Sequence, residues 1–524
     1  MGTAQTRLKR VSAVTEDGSA STLDKTVLDG GAMFIASSAG NGLNYLFSIG
    51  LARALGAFEF GLYAIGLTYF NVLTQIAPLG TTTGVTKFVS ESLALKDHGK
   101  AWETIKSAIT ITLFSSIIIG GLLAAGARSI SEHLYAKPEL TTVLLLFAGV
   151  LPFAATASLL FSALLAFQAI RPAIAVKYVW EPVGKIVLAS IMVLLGFHLL
   201  GVISAIGLVI AFGAYMAAKA LKRKLLSLNA KMNYSWPRRL REFVLFCSPL
   251  AISNAFGVIA PRSDILILGY WVNTNEIGVY LACLQTAGII SLVLGSFETV
   301  FAPFIARVLA LNNIAQLRVV YQSLSRLVIL FTIPLWIFLS VLSSSILNLF
   351  GEGFRDGWIP LVILATGHLV SSMASSPNHV LLMGGHSRTV MLNTVVTGIL
   401  QVVVAILLIP YFGTVGAAVA SAGGLLAITL ARVVQVWRRY HVIPFSVHFV
   451  KPLVAGGAMA GAMLVATQLL TASPQGLEIP LVGAVGLFTY LGCQLALGVD
   501  PLDESLLREI TKRVMARVNL SSRG

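Results

Sequence analysis

From Gly30 to Gly498 the chain is a succession of apolar runs separated by short polar breaks. That pattern leaves few folds open. A run of about 20 apolar residues crosses the hydrocarbon core of a bilayer as a helix. Inside that core every backbone polar group must be satisfied by the protein, so only helices and closed barrels span it. The unbroken apolar runs argue against a barrel. Composition supports the same reading: 56% of residues are hydrophobic and 11% charged, against about 25% charged in a soluble domain. Polar groups this sparse cannot cover a soluble surface. The predicted class is an all-α polytopic membrane protein.

Apolar runs predict fourteen transmembrane helices, over 30–52, 59–80, 105–126, 141–168, 173–197, 199–219, 246–271, 277–300, 326–350, 358–383, 389–410, 414–436, 452–471 and 478–498. Tight turns are expected at 197–199 and 411–413. The breaks 82–106, 169–177, 219–241, 301–326, 384–388 and 432–451, with both tails, hold 31 of the 37 Lys and Arg. The alternate breaks hold Arg53, Arg128, Lys137 and Arg355. The positive-inside rule then predicts both termini in the cytoplasm of a cell-membrane protein. The net charge of +15 follows from this topology and points to anionic membrane lipids as partners rather than nucleic acid.

The stretch "LARALGAFEFGLYAIG" (51–66) recurs as "LGYWVNTNEIGVYLAC" (268–283). At an offset of 217, Leu51 matches Leu268, Glu59 matches Glu276, Gly61 matches Gly278 and Tyr63 matches Tyr280. Arg171 and Arg388 keep the offset, and Gly201 and Gly416 match at 215. The copies open spans 2 and 8, an even number of spans apart, so they enter the membrane in one direction. This predicts two parallel six-helix bundles around a central cavity, rocking about a midplane site, plus two extra C-terminal helices. The expected boundaries are a cytoplasmic tail 1–29, which is not a cleaved signal, a first bundle 30–219, a basic linker 220–245, a second bundle 246–436, helices 13–14 in 437–498 and a cytoplasmic tail 499–524. Gly61 and Gly278 are expected to permit tight turns or close helix approach, with Tyr63 and Tyr280 at the outer interface.

The motifs "RALGAFEFGLYAIG", "PRSDILILGYWVNTNEIGVY" and "LLMGGHSR" with "LLIPYFGTVGAAVAS" resemble the polysaccharide-biosynthesis flippases. These are the O-antigen and exopolysaccharide repeat-unit translocases of the multidrug/oligosaccharidyl-lipid/polysaccharide exporter superfamily. The resemblance covers nearly the whole chain. It implies a V-shaped pair of six-helix bundles, alternating access and, as substrate, a polyprenyl-diphosphate-linked oligosaccharide turned from the inner to the outer leaflet. It leaves the sugar unspecified.

A diphosphate and a wet sugar inside a bilayer require cations in a water-filled cavity. A charge at the bilayer centre costs about 2.5–3.5 kcal/mol on insertion scales and usually has a function. Span 5 carries Glu181 and Lys185 at i,i+4, on one face. Span 7 carries Arg262 and Asp264 at i,i+2, on different faces. Lys185 and Arg262 are expected to line the cavity as substrate-binding cations; the alternative is ion pairs that lock helices, Lys185 with Glu181 and Arg262 with Asp264 or Glu181. Glu181 and Asp264 are candidates for a coupling proton or sodium ion, or plain counter-ions. Arg53, at the outer end of span 1, is read as meeting the diphosphate on exit or as an interfacial snorkelling residue. Asn41, Asn44 and Tyr45 form a polar stripe; Tyr45 matches Arg262 in the repeat, so Asn44 and Tyr45 face the same cavity or hydrogen-bond between helices. Glu298 is an inner-gate candidate or a solvated helix end. His368 and His379 fall on one face and line the cavity or pack. Pro152, Pro182, Pro249, Pro261 and Pro334 are expected to interrupt spans.

Two rivals share the superfamily mechanism: a cation-coupled multidrug exporter, whose cavity would be acidic and aromatic, and a lipid II flippase for peptidoglycan. An enzyme is disfavoured, because the longest external loop, 127–140, has about fourteen residues, and the sequence holds no Gly-rich phosphate loop, metal cluster or nucleophile triad. No cofactor is expected. Cys247, Cys283 and Cys493 read as free thiols. The basic linker and the C-terminal "PLDESLLREITKRVMARVNL" read as surface helices on the inner leaflet; a glycosyltransferase or polysaccharide polymerase is the candidate docking partner.

Overall fold

The computed structural model describes residues 2–227, 240–311, 313–375, 377–445, 449–469 and 477–498. The core of the basic linker and the C-terminal surface helix lie outside the described residues. Every regular element among the described residues is helical. The protein is an all-α, multi-pass membrane protein.

Ten of the described helices are long and apolar enough to cross a membrane, or eleven if the bent pair Glu352–Met373 and Pro377–Met383 is one span. The helices therefore do not by themselves reach the expected fourteen. Two of the ten are of double length, Gly31–Ala94 with 64 residues and Ser387–Tyr440 with 54, where about 20 suffice. Each contains a glycine break, at Gly56 (φ 72°) and Gly413 (φ 52°), a backbone region that glycine enters without a Cβ penalty. Residues 170–194 are helical throughout but in three pieces, Ile170–Ile174, a π-helical Ala175–Trp180 and Glu181–Leu194.

Two compact units form. The first gathers Met1–Phe47, Leu73–Ala125 and Leu145–Ile252; the second gathers Ser48–Val72, Gly126–Leu144 and Ser253–Gly524. A core of the first holds Val89, Ala101, Ile105, Ala163 and Leu221. A core of the second holds Ile305, Leu317, Tyr321, Val380 and Val436. These are the same positions at offsets of 215–217, so each copy of the repeat buries the same face.

The turns repeat as well. The Asp97 carboxylate accepts from the Lys100 amide at 3.0 Å, and Asn313, 216 residues later, accepts from the Gln316 amide at 3.0 Å. Both are side-chain caps of orphan amides at a helix start. Gln168 (φ 53°) and Gly385 (φ 81°) each end a helix in the left-handed region. Their following amides bond the same carbonyls, Ala169 to Leu164 and His386 to Leu381, both at 2.9 Å. The expected tight turns fall at Gly196 (φ 82°) and Gly413, again 217 apart.

In the second unit the two pentapeptide copies touch. A Cβ on Gly61 would run into the Thr274 carbonyl, and a Cβ on Gly278 into the Ala57 carbonyl. Ala57 and Thr274 are themselves a pair at 217. The same contact is made twice with roles exchanged, as in a two-fold interface, and only glycine permits backbones this close. Tyr63 and Tyr280 are packed inside the protein, at 5% and 0% exposure.

Pro152, Pro249 and Pro334 sit inside continuous helices, where a proline bends a helix without ending it, and Pro182 and Pro261 stand at a π-helical and a 3-10 irregularity. Two further expectations change. His368 and His379 belong to separate helices bent by 42°, so they share no face. The external loop at 127–140 is mostly helical, because Ser129 continues into π-helical Ile130–Leu134 and the next helix starts at Leu140.

Candidate functional site

Pro182 lacks an N–H, and its ring crowds the carbonyl four residues earlier, that of Tyr178. The chain answers with the π-helical turn Ala175–Trp180, a distortion common at functional sites. Gly40 packs against the freed carbonyl, which lies 3.1 Å from where a Cβ would be. From inside the turn onward, Lys177, Glu181 and Lys185 stack at four-residue spacing on one face. Lys177 Nζ stands 3.1 Å from Glu181 Oε2, and Lys185 Nζ 3.8 Å from the same oxygen. Glu181 is buried; the Lys185 side chain is 19% exposed and that of Lys177 45%. The cluster carries one net positive charge. Asn44 and Tyr45 are half-buried, and Asn44 donates back to the Gly40 carbonyl at 2.9 Å, one turn from the Gly40–Tyr178 contact.

In the second unit Pro261 causes the opposite distortion. A 3-10 turn, Ala260–Arg262, separates Leu240–Ile259 from Ser263–Trp271. Asp264, 1% exposed, accepts from the Tyr280 hydroxyl at 2.8 Å, the Ser421 hydroxyl at 2.9 Å and the Ile265 amide at 2.7 Å. Gln401 donates to the Ser421 oxygen at 3.3 Å. The carboxylate thus ties three helical stretches together. Arg262 is half-buried and makes no direct hydrogen bond or salt bridge among the described residues, while the nearby Asp264 carboxylate acts on it electrostatically. The Asp264 oxygens are hydrogen-bonded elsewhere, so any counter-ion role toward Arg262 is at longer range.

Residues 28–309 match the model of the polysaccharide biosynthesis protein family. The chain belongs to that family. Among curated members and relatives, it is 23% identical over 397 residues to the probable low-salt glycan biosynthesis flippase Agl15 of Haloferax volcanii, covering 74% of this chain and 79% of that one. It is 27% identical over 149 residues to the stage V sporulation protein B of Bacillus subtilis, covering 28% and 29%. Among solved structures, the fold matches lipid II flippase MurJ in an inward closed conformation with TM-score 0.72 at 14% identity, over 88% of this chain and 97% of that one. An inward-facing multidrug resistance MATE family transporter of the MOP superfamily matches at 0.64 and 14%, over 76% and 94%. The resemblance drawn from the sequence motifs is borne out.

For this polysaccharide biosynthesis family member, the structure brings some sequence candidates together and separates others. Lys185 and Glu181 are joined as the i,i+4 spacing predicted. Arg53 is exposed. His368 bonds Ser291 at 2.7 Å, a packing role. His379 stands 3.6 Å from Glu298. Among the described residues no cluster of His, Cys, Asp and Glu could hold a metal ion.

Four contributors escaped the sequence reading. Lys177 was assigned to an inner break, although its spacing from Glu181 was the available signal. Tyr280 and Ser421 serve Asp264 from 16 and 157 residues away. Lys137, one of the few basic residues in the alternate breaks, donates to the carbonyls of Gly269 at 2.6 Å and Val272 at 3.3 Å. These lie at the C-terminal end of Ser263–Trp271, where orphan carbonyls favour a cation. Beside it the Tyr135 hydroxyl donates to Leu266 at 3.2 Å and meets the Tyr69 hydroxyl at 3.1 Å. Burial pulls Lys137 below the usual lysine range.

Proposed function

We propose that the protein is a flippase that moves lipid-linked oligosaccharide for surface polysaccharide synthesis. Its cargo is a polyprenyl-diphosphate-linked repeat unit, turned from the inner to the outer leaflet of the cell membrane by alternating access, with both termini cytoplasmic. Family membership and the relation to a glycan biosynthesis flippase support transport rather than catalysis. The observation that carries the substrate class is Arg262, a half-buried guanidinium inside a span whose donors make no direct hydrogen bond among the described residues, with Asp264 acting on it only at longer range. A charge inside a span marks a functional site by default, and a guanidinium with free donors matches phosphate geometry with its fork.

Lys185 is proposed as a second phosphate contact, shared with Lys177, while Asn44 and Tyr45 offer neutral contacts beside them. Of the two carboxylates proposed for ion coupling, Glu181 fits better. Its partners are two lysines, Lys177 on both oxygens and Lys185 at 3.8 Å from Oε2, and exchanging the carboxylate's charge there displaces no hydroxyl. Binding an ion at Asp264 would displace Tyr280 or Ser421. Anionic lipids are proposed partners at the basic breaks, and a glycosyltransferase or polymerase remains a proposal for the linker.

The test is deletion in the host, with wild type or Arg262→Ala returned at equal protein level. Surface polysaccharide should disappear, the carrier-linked repeat unit should accumulate inside, and only wild type should restore export. Unchanged glycans with altered peptidoglycan synthesis or drug sensitivity would overturn the reading.

A further inference from the structure

The helix Ser263–Trp271 carries the candidate site at one end and is gripped at the other. Arg262 is its N-cap, and Asp264 stands in its first turn. The grip comes from the short strap between Leu134 and Leu140, which belongs to the same compact unit. Lys137 Nζ donates to the carbonyls of Gly269 and Val272, and the Tyr135 hydroxyl to that of Leu266. The Tyr135 ring fills the notch at Gly269, where a Cβ would stand 2.6 Å from it. Tyr69 backs the contact: its hydroxyl meets that of Tyr135, and the two rings sit edge to face with centroids 6.3 Å apart.

The strap keeps its shape without the helix it holds. The Tyr135 amide bonds the Ile130 carbonyl at 3.1 Å and the Lys137 amide the Ser131 carbonyl at 2.7 Å, with Ala136 left-handed between them at φ 52°. Letting go of Ser263–Trp271 breaks none of these bonds. The carbonyls of Gly269 and Val272 lie at the end of that helix, where intrahelical partners run out. On the orientation expected from the Lys and Arg distribution this end faces the outside, where water can take over each bond at small net change. The other copy of the repeat lacks this grip. Its matching turn reads Leu349, Phe350, Gly351, Glu352 against Leu134, Tyr135, Ala136, Lys137, with positive φ again at the third position. The hydroxyl is gone and the cation has become an anion. That turn reaches the first copy through Phe354 on Phe60, buried rings 6.0 Å apart, a contact that water cannot replace. One turn is thus a fixed apolar contact and the other a set of exchangeable polar bonds.

We propose that Tyr135 and Lys137 form an outer latch on the Arg262-bearing helix, closed in this structure and released into water as the cargo leaves. Release frees the outer end of Ser263–Trp271. The helix is short and rigid, about 14 Å long, so its movement carries the turn that holds Arg262. The link to cargo rests on the flippase reading of Arg262; the latch itself rests on the contacts.

The experiment is pulsed EPR on the full chain in liposomes, with spin labels on Glu139→Cys and Asn273→Cys, both exposed positions, and with the half-buried Cys493 replaced by Ser. One distance should dominate. Lys137→Met should raise the population at a second, longer distance about tenfold and Tyr135→Phe about fivefold, the sizes expected for losing a charged and a neutral hydrogen bond. A single distance unmoved by either substitution would make the contact a fixed helix cap and overturn the latch, whatever the protein transports. A second variant, Tyr135→Cys with Gly269→Cys, bridges the closed latch by oxidation. It should not translocate a lipid-linked oligosaccharide until reduced; equal rates before and after reduction would also overturn the latch. If wild type moves no such lipid, the flippase reading fails and the distances alone decide the latch.

Discussion

The two copies of the repeat agree in architecture and disagree in charge. They share the Asp97 and Asn313 caps, the left-handed helix ends at Gln168 and Gly385, equivalent core positions and a glycine contact made in both directions. The ionisable residues of the candidate site do not correspond. Where the second copy has Arg262 and Asp264, the first has Tyr45 and Phe47; where the first has Glu181 and Lys185, the second has Gly398 and Val402. Duplicated positions carry the frame, and unduplicated ones carry the chemistry. Even the proline devices diverge, since Pro182 follows a loosened π turn and Pro261 sits in a tightened 3-10 turn.

If the frame is symmetric, Gly61→Ala and Gly278→Ala should do similar damage. Each drives a Cβ into a backbone carbonyl, at a cost of about 3–5 kcal/mol. Melting of the detergent-solubilised protein would compare them; a large loss in only one variant would break the equivalence. The next effect belongs to one copy alone. Asp264→Ala leaves the Tyr280 and Ser421 hydroxyls without their acceptor and should cost about 2–4 kcal/mol, while Phe47→Ala at the matching position removes only apolar packing. Asp264→Asn should recover part of the loss.

Arg262→Ala inverts that pattern. With no direct hydrogen bond to abandon and only the longer-range attraction to Asp264 lost, it should shift stability by about 1 kcal/mol or less. Transport should nevertheless fall about 10- to 100-fold, the value of a charged hydrogen bond to phosphate, with Arg262→Lys intermediate. The smallest effect is expected at Glu181→Gln. The Lys177 and Lys185 contacts are partly exposed, and such pairs contribute about 1 kcal/mol or less. A larger stability loss there would make the cluster a structural brace and weaken its proposed role in coupling.

Much of this was legible in the sequence. Apolar runs and sparse charge gave the class, and the spacing of glycines, Arg171 and Arg388 gave the repeat. The i,i+4 rule paired Lys185 with Glu181, and proline chemistry marked both distortions. Other features could not be read. Asp264 reads as a counter-ion to Arg262, but only the fold shows that it also binds Ser421 from 157 residues away. Lys137 binds backbone carbonyls, which every residue possesses, so no side-chain pattern announces it. Breaks at Gly56 and Gly413 divide helices without a polar interruption, so span counts from sequence and from helices differ.

The central claim is that Arg262 is the cation that handles the diphosphate. It is tested most directly by translocation of a fluorescent polyprenyl-diphosphate oligosaccharide in proteoliposomes, with wild type, Arg262→Ala and Arg262→Lys reconstituted at equal density and equal melting temperature. The account predicts translocation by wild type, a loss of about 10-fold or more in Arg262→Ala and partial retention in Arg262→Lys. Equal rates in all three would contradict it.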